Sequence, residues 1–207
     1  FYAMEYVPGI SLAHVIAALH GRRPESLTGL DLHRLVALHA VTSDTPSDLF
    51  RGPWAEVAVR IALQVARAIE HAHERGVLHR DIKPSNVMIA ADGRVVLLDF
   101  GLASLGATST LTRTGSQIGS LPYMAPEQLR AQIDHIGART DVYAIGVTLY
   151  EMLALSPAFA DPGDTEVLRK RILDARPRAL KGLHRGISGD LVLVCQTAMQ
   201  AEAAGRY

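Results

Sequence analysis

Cysteine is almost missing from this chain: Cys195 is the one thiol in 207 residues. No disulfide can close within the chain, and Cys195 stands in the apolar run LVLVCQTAM, the setting of a buried structural thiol rather than of a nucleophile or a metal ligand. A prevailing charge is also missing, since 21 basic residues face 21 acidic ones. Zero formal net charge gives no global field to gather a polyanion. Arg22-Arg23 and Arg169-Lys170-Arg171 are short enough to read as solvated patches, so no nucleic acid is expected as a partner. The nine histidines lack the paired spacing of a zinc site. No apolar run reaches the roughly 20 residues of a membrane span, and no secretory leader is seen. The cytoplasm is therefore the default location, with a membrane anchor outside this stretch left open. What is present is ordinary globular material: 48% hydrophobic and 20% charged residues, with no linker-like stretch, which favours one large domain.

The periodicities divide the chain unevenly. FYAMEYV reads as a short strand closed by Pro8-Gly9, and Ser11 as the cap of a helix with Leu12, Val15, Ile16 and Leu19 on its apolar face. Residues 20–53 are less regular, with Gly, Pro, Ser and Thr clusters around one helical stretch, DLHRLVALHAV, and read as a connecting insertion. WAEVAVRIALQVARAIEHAHERG places Val57, Ile61, Val65, Ile69 and Ala72 on one face, with Gly76 set to end the helix. VMIAADGRVVLLDF is two apolar runs around Asp92-Gly93, a hairpin signal. Residues 101–120 are rich in Gly, Ser and Thr without a period, as suits a mobile surface segment. DVYAIGVTLYEMLAL, residues 141–155, is apolar nearly all round and reads as a helix buried in mid-domain. From Glu166 onward helical segments are broken by Pro177, Gly182, Gly186 and Gly189.

The chemistry concentrates in LHRDIKPSNVMI, between the long helix and the hairpin. Polar residues gather in turns as a matter of course, and an Asp-x-x-x-x-Asn spacing alone is weak. Asp99, at the end of the second hairpin strand, changes the odds because the hairpin returns it toward Asn86. An amide and a carboxylate oxygen at one strand end suit Mg²⁺, which commonly binds through one or two carboxylates and substrate phosphates. Lys83 can neutralise a phosphoryl group and Asp81 can accept a hydroxyl proton. Together these roles describe phosphoryl transfer.

HRDIKPSN, DFG and APE at 125–127, in that order, resemble the catalytic loop, metal motif and activation-segment end of a eukaryotic-like (Hanks-type) serine/threonine protein kinase of bacterial type. The likeness extends through YMAPEQL, TDVYAIGVTLYEML and, at the front, MEYVPGISL, which looks like the hinge between kinase lobes. It leaves out residues 20–53 and the variable stretch 156–190. It implies a mainly α fold with short β-hairpins, the large lobe only, running over 1–207: hinge 1–10, insertion 20–53 and activation segment 99–127. It implies ATP with Mg²⁺, or Mn²⁺, as cofactors and protein Ser/Thr hydroxyls as substrates.

By the same likeness Asp81 is the catalytic base, Lys83 contacts the transferring phosphate, and Asn86 and Asp99 hold the metal. Glu5 and Val7 meet adenine through backbone groups, Met4 guards the rear of the pocket, and Met88 lies beneath the purine. His79 and Phe100 resemble members of a stacked apolar spine. Asp141 resembles the anchor of the catalytic-loop backbone, and Arg206 the partner of Glu127. Arg80 resembles the arginine that pairs with an activation-segment phosphate, for which Thr112 and Thr114 are the acceptors, with a dimer allowing modification in trans. Ser120 stands where the family usually has threonine and keeps a hydroxyl able to bridge Asp81 and Lys83. The glycine-rich loop, strand lysine and glutamate of a small lobe are not found, and the chain opens at Phe1 without methionine. The expectation is a piece of a longer kinase, poorly active alone. The rivals are a pseudokinase scaffold, which upstream sequence would expose, and a small-molecule phosphotransferase, which has no reason to keep an APE-ended segment.

Overall fold

The computed structural model describes residues 6–41, 47–100, 119–159, 163–180 and 187–207. Its fold is mainly α, with one small antiparallel sheet. In chain order the elements are β1 (Gly9–Ser11), α1 (Leu12–Leu19), α2 (Gly29–Ala37), α3 (Trp54–His73), β2 (Val87–Ala90) and β3 (Val95–Leu97). They are followed by α4 (Pro126–Leu129), α5 (Ala138–Ala154), α6 (Thr165–Leu173) and α7 (Gly189–Ala198).

Two helices carry the core. On α3 the apolar positions recur at helical spacing, and Trp54, Val57, Ala58, Ile61, Val65, Ile69 and Ala72 are buried. At about 1.5–3 kcal/mol for each large aliphatic side chain, that stripe holds α3 in place far more firmly than helix propensity would. Gly76 ends the run in the left-handed region, at φ +72°. α5 is buried on nearly every side, and both α3 and α7 pack on it. The Trp54 indole N–H donates to Met152 O at 2.7 Å, tying the start of α3 to the end of α5. On its other side Gly146 lets α7 approach, since a Cβ there would lie 2.7 Å from that of Ala198. Among the described residues no helix is long and apolar enough to cross a membrane.

The sheet corrects one expectation. Residues 1–5 lie outside the described residues, and Tyr6–Pro8 are not strand; the strand is Gly9–Ser11, where the sequence reading placed a closing turn. Gly9 pairs with Ala90 and Ile10 with Ile89, and a Cβ on Gly9 would lie 2.1 Å from Ile89 O, so glycine serves close backbone approach rather than chain reversal. The hairpin itself follows, with Val87 opposite Leu97 and Gly93 at φ +84° in the turn. Ser11 caps α1, its Oγ accepting from the His14 N–H. Gly189 opens α7 instead of breaking a helix, because Ser188 ahead of it accepts from the Leu191 N–H and supplies the cap.

The stretch 20–53 is folded against the body. α2 spans Gly29–Ala37, starting two residues before DLHRLVALHAV and ending four before its end. Residues 27–29 meet residues 52–54, with Gly29 N–H donating to Gly52 O (2.9 Å) and Trp54 N–H to Leu27 O (3.0 Å). Leu32, Val36, Leu49 and Phe50 are buried in the common core, and Arg60 of α3 donates to Arg51 O and Asp48 O.

Candidate active site

The loop between α3 and β2 is organised around one buried carboxylate. Asp141, in the first turn of α5, is 1% exposed and accepts three hydrogen bonds. His79 N–H and His73 Nε2 donate to Oδ2 at 3.0 and 2.7 Å, and Arg80 N–H donates to Oδ1 at 2.7 Å. A buried charge is tolerable only with such partners. These bonds hold Arg80 at φ +66°, a backbone setting that costs a non-glycine residue about 1–3 kcal/mol. From the other side Gln128 of α4 donates to Arg80 O at 3.0 Å and accepts from the Ala125 N–H at 2.9 Å. The loop is thus clamped between α5 and α4.

His79 is fully buried and bonds in both directions. Its Nδ1 accepts from the Asp81 N–H at 3.3 Å, leaving Nε2 to carry the proton it donates to Leu98 O at 2.8 Å. One ring therefore links the residue ahead of Asp99 to Asp81. Phe100 lies with its ring centroid 4.8 Å from that of His79 and is 37% exposed.

Around Asp81 three polar side chains converge. Lys83 Nζ donates to Asp81 Oδ2 and to Ser120 Oγ, both at 2.7 Å. Asn86 Nδ2 donates to Asp81 O at 2.8 Å and to Oδ2 at 3.1 Å. Oδ2 thus holds two donors, and among the described residues Oδ1 has none. With its nitrogen engaged, Asn86 keeps Oδ1 as an oxygen ligand, bonded among the described residues by the Ser85 hydroxyl at 3.4 Å. The β2–β3 ladder continues one step as Leu98 N–H to Asn86 O (2.8 Å), so Asp99 is the next residue beyond the one facing Asn86. Asp99 is exposed, at φ +61°. An amide oxygen and a carboxylate at the mouth of the loop fit a hard cation that completes its shell with phosphate and water. Among the described residues no three His, Cys, Asp or Glu side chains cluster to hold a metal by themselves.

Below the loop, Arg206 is buried against Glu127. The guanidinium donates to Glu127 Oε1 and Oε2 at 2.8 and 2.9 Å, and to Arg139 O, Ala201 O and Gln200 O, which satisfies all five of its N–H groups. It also lies 4.9 Å from the Tyr143 ring centroid, and Thr140 Oγ1 donates to Glu127 Oε1 at 2.8 Å. Burial alone would raise the Glu127 carboxyl, but the hydrogen bonds from Arg206, from its own backbone and from Thr140 hold it below the usual range.

Val7 is half-buried just ahead of β1, and Met88 lies in β2 between Ser11 and Val96. Met4, Glu5, Thr112 and Thr114 fall outside the described residues. The sequence reading assigned no role to His73, to Gln128 in YMAPEQL or to Thr140 in TDVYAIGVTLYEML. It also missed a half-buried Tyr123–Glu151 pair, O–H to Oε2 at 2.6 Å, in which loss of water around the Glu151 carboxyl pushes it up.

A sequence profile for the family described as the protein kinase domain matches residues 3–186. The chain is 37% identical over 151 residues to the serine/threonine-protein kinase PknB of Mycobacterium leprae, covering 72% of this chain and 24% of that protein. It is 35% identical over 152 residues to the PknB of Mycobacterium tuberculosis, again covering 72% of this chain and 24% of that one. The chain thus spans about a quarter of the length of these curated relatives.

Proposed function

This chain belongs to the protein kinase family, and on that premise we propose that it carries the catalytic loop of a bacterial-type serine/threonine kinase that moves the γ-phosphoryl group of ATP to Ser and Thr hydroxyls of proteins. The observation that carries the reading is the polar knot around Asp81. Lys83 and Asn86 both occupy Oδ2, which orients the carboxylate and leaves Oδ1 to accept a hydrogen bond, and then the proton, of an acceptor hydroxyl. Lys83, bound at once to Asp81 and Ser120, stands as a fixed cation beside that oxygen and lowers the cost of charge gathering on a phosphoryl group.

Asn86 Oδ1 and the Asp99 carboxylate would hold Mg²⁺, which when bound neutralises the phosphate oxygens of ATP. In this reading Val7 and Met88, with Met4 and Glu5, border the adenine. Phosphates on Thr112 and Thr114 pair with Arg80, and modification between two copies explains how an inactive pool is first switched on.

The test uses the full-length parent with ATP and Mg²⁺, scored by mass spectrometry for phosphate on Thr112, Thr114 and a generic protein substrate. Asp81→Asn serves as the comparison. Loss of a general base lowers rate by about 10² to 10⁴, so the variant should leave both products nearly unmodified. An unmodified wild type beside a working control kinase would replace this proposal with a pseudokinase scaffold.

A further inference from the structure

α6 and the turn behind it collect a charge that the whole chain lacks. Lys170, Arg171, Arg176 and Arg178 line a cavity of about 410 Å³, with Val167 and Pro177 as its apolar lining and Asp174 as its one acid. These bases are not one run in sequence; the fold assembles them. α6 ends with Ala175 at φ +47°, where Ala175 N–H returns to Ile172 O and Arg176 N–H to Arg171 O. This reversal turns the chain back along the helix, and Arg178 N–H to Ala158 O (2.8 Å) holds it there. Arg176 and Arg178 are thereby set beside Lys170 and Arg171. Lys170, Arg176 and Arg178 are exposed, and no ion pair engages them among the described residues.

The cleft shares no lining residue with the Asp81 loop but is close to it through packed structure. Arg169 Nη2 donates to Leu129 O at 2.8 Å, fastening α6 to the end of α4. α6 also packs against Leu121–Tyr123, the turn that directly follows Ser120, the hydroxyl bonded to Lys83. The turn after Ser120 is thus the structural link between the Asp81 loop and the cleft.

We infer that this cleft docks an acidic stretch, rich in Asp and Glu, of the polypeptide substrate; the inference rests on the kinase reading above. Arg176 and Arg178 present planar forks that match carboxylates two bonds at a time. Val167 and Pro177 give the aliphatic parts of such side chains an apolar surface. Nucleic acid and anionic membrane are poorer occupants, because each needs an extended positive face and this chain has four bases in one concavity on a neutral body.

The experiment takes the full-length protein without ATP and follows the fluorescence anisotropy of a labelled Glu/Asp-rich peptide, beside the same peptide with Gln/Asn. The acidic peptide should bind about tenfold tighter than the neutral one, and Arg176→Glu/Arg178→Glu should weaken it about tenfold. Arg176→Gln/Arg178→Gln should give a smaller loss in the same direction, and salt raised from about 0.05 to 0.5 M should weaken binding. With ATP, the charge-reversed protein should show a raised KM for an acceptor peptide carrying the acidic stretch. Its kcat should be unchanged, as should both parameters for a peptide lacking that stretch. Equal binding of acidic and neutral peptides, indifference to both variants, or preference for anionic vesicles or single-stranded DNA would overturn the inference. If the acidic peptide binds and no peptide is ever phosphorylated, the docking surface stands and the kinase reading falls. If both acceptor peptides are phosphorylated alike, the reverse holds.

Discussion

Replacing Arg206 by Leu should be among the most damaging single changes in this chain. The side chain is fully buried, its carboxylate partner is 5% exposed, and its five donors all reach acceptors. Breaking a buried pair by removing one member costs about 3–5 kcal/mol, because the charge left behind has no water to turn to. For a chain of this size each kcal/mol moves the melting temperature by about 2–4 °C, so a fall of roughly 6–20 °C is expected. Glu127→Leu/Arg206→Leu, which removes both charges, should recover part of that loss and no more. The carbonyls of Arg139, Gln200 and Ala201 and the Thr140 hydroxyl would still be left without their partners.

The assay is urea unfolding followed by the fluorescence of Trp54, the single tryptophan, which is buried with its indole N–H bonded to α5. A second arm varies pH. The native Glu127 carboxyl is held below its ordinary value of 4.5. The stability it contributes is therefore fully present above the unfolded value and fades as pH falls through the native one. The gap between wild type and Glu127→Gln should be constant near neutrality and narrow below about pH 4.5. A loss under about 1 kcal/mol for Arg206→Leu, or a gap that widens in acid, would refute the reasoning.

Asp141→Asn should cost about 1–3 kcal/mol and loosen the Asp81 loop, because an amide offers one acceptor oxygen and turns its nitrogen toward a donor. Amide exchange at His79 and Arg80 would report it. Gly9→Val should unpair β1 from β2, since its Cβ has no room against Ile89 O; the Ala91 amide, now bonded to Pro8 O, should lose its exchange protection. Cys195 is buried and its thiol is pushed up to about 12, so a thiol reagent should leave the native protein untouched at pH 8 and label it only as fast as it unfolds.

α3 and α5 were legible because their signals are local: five apolar positions at helical spacing in one, a surface apolar nearly all round in the other, and both are buried as that pattern requires. The convergence of Asp81, Lys83 and Asn86 was legible because six residues contain it. β1 was not, because its partner lies about 80 residues away and a Pro-Gly pair carries the same letters in a turn as in a tight strand crossing. The insertion offered no period strong enough to reveal that Leu32, Val36, Leu49 and Phe50 join the core. His73 and Gln128 were invisible for a related reason. Each acts through a single bond to a distant residue, and a single bond leaves no spacing to read.

The pairing of Glu127 with Arg206 also sets a schedule. The two residues are 79 positions apart, and a ribosome adds about 5–20 residues each second, so Glu127 waits roughly 4–16 s for its partner to be made. The Asp81 loop waits as well, since Asp141 is synthesised 61 positions after Arg80. During that interval α4 has no buried cation to close on and must keep its carboxylate in water, while α3 can already form from its own residues. The nascent chain is therefore expected to hold its helical scaffold early and complete its polar locks late, the Asp141 lock before the one between Glu127 and Arg206.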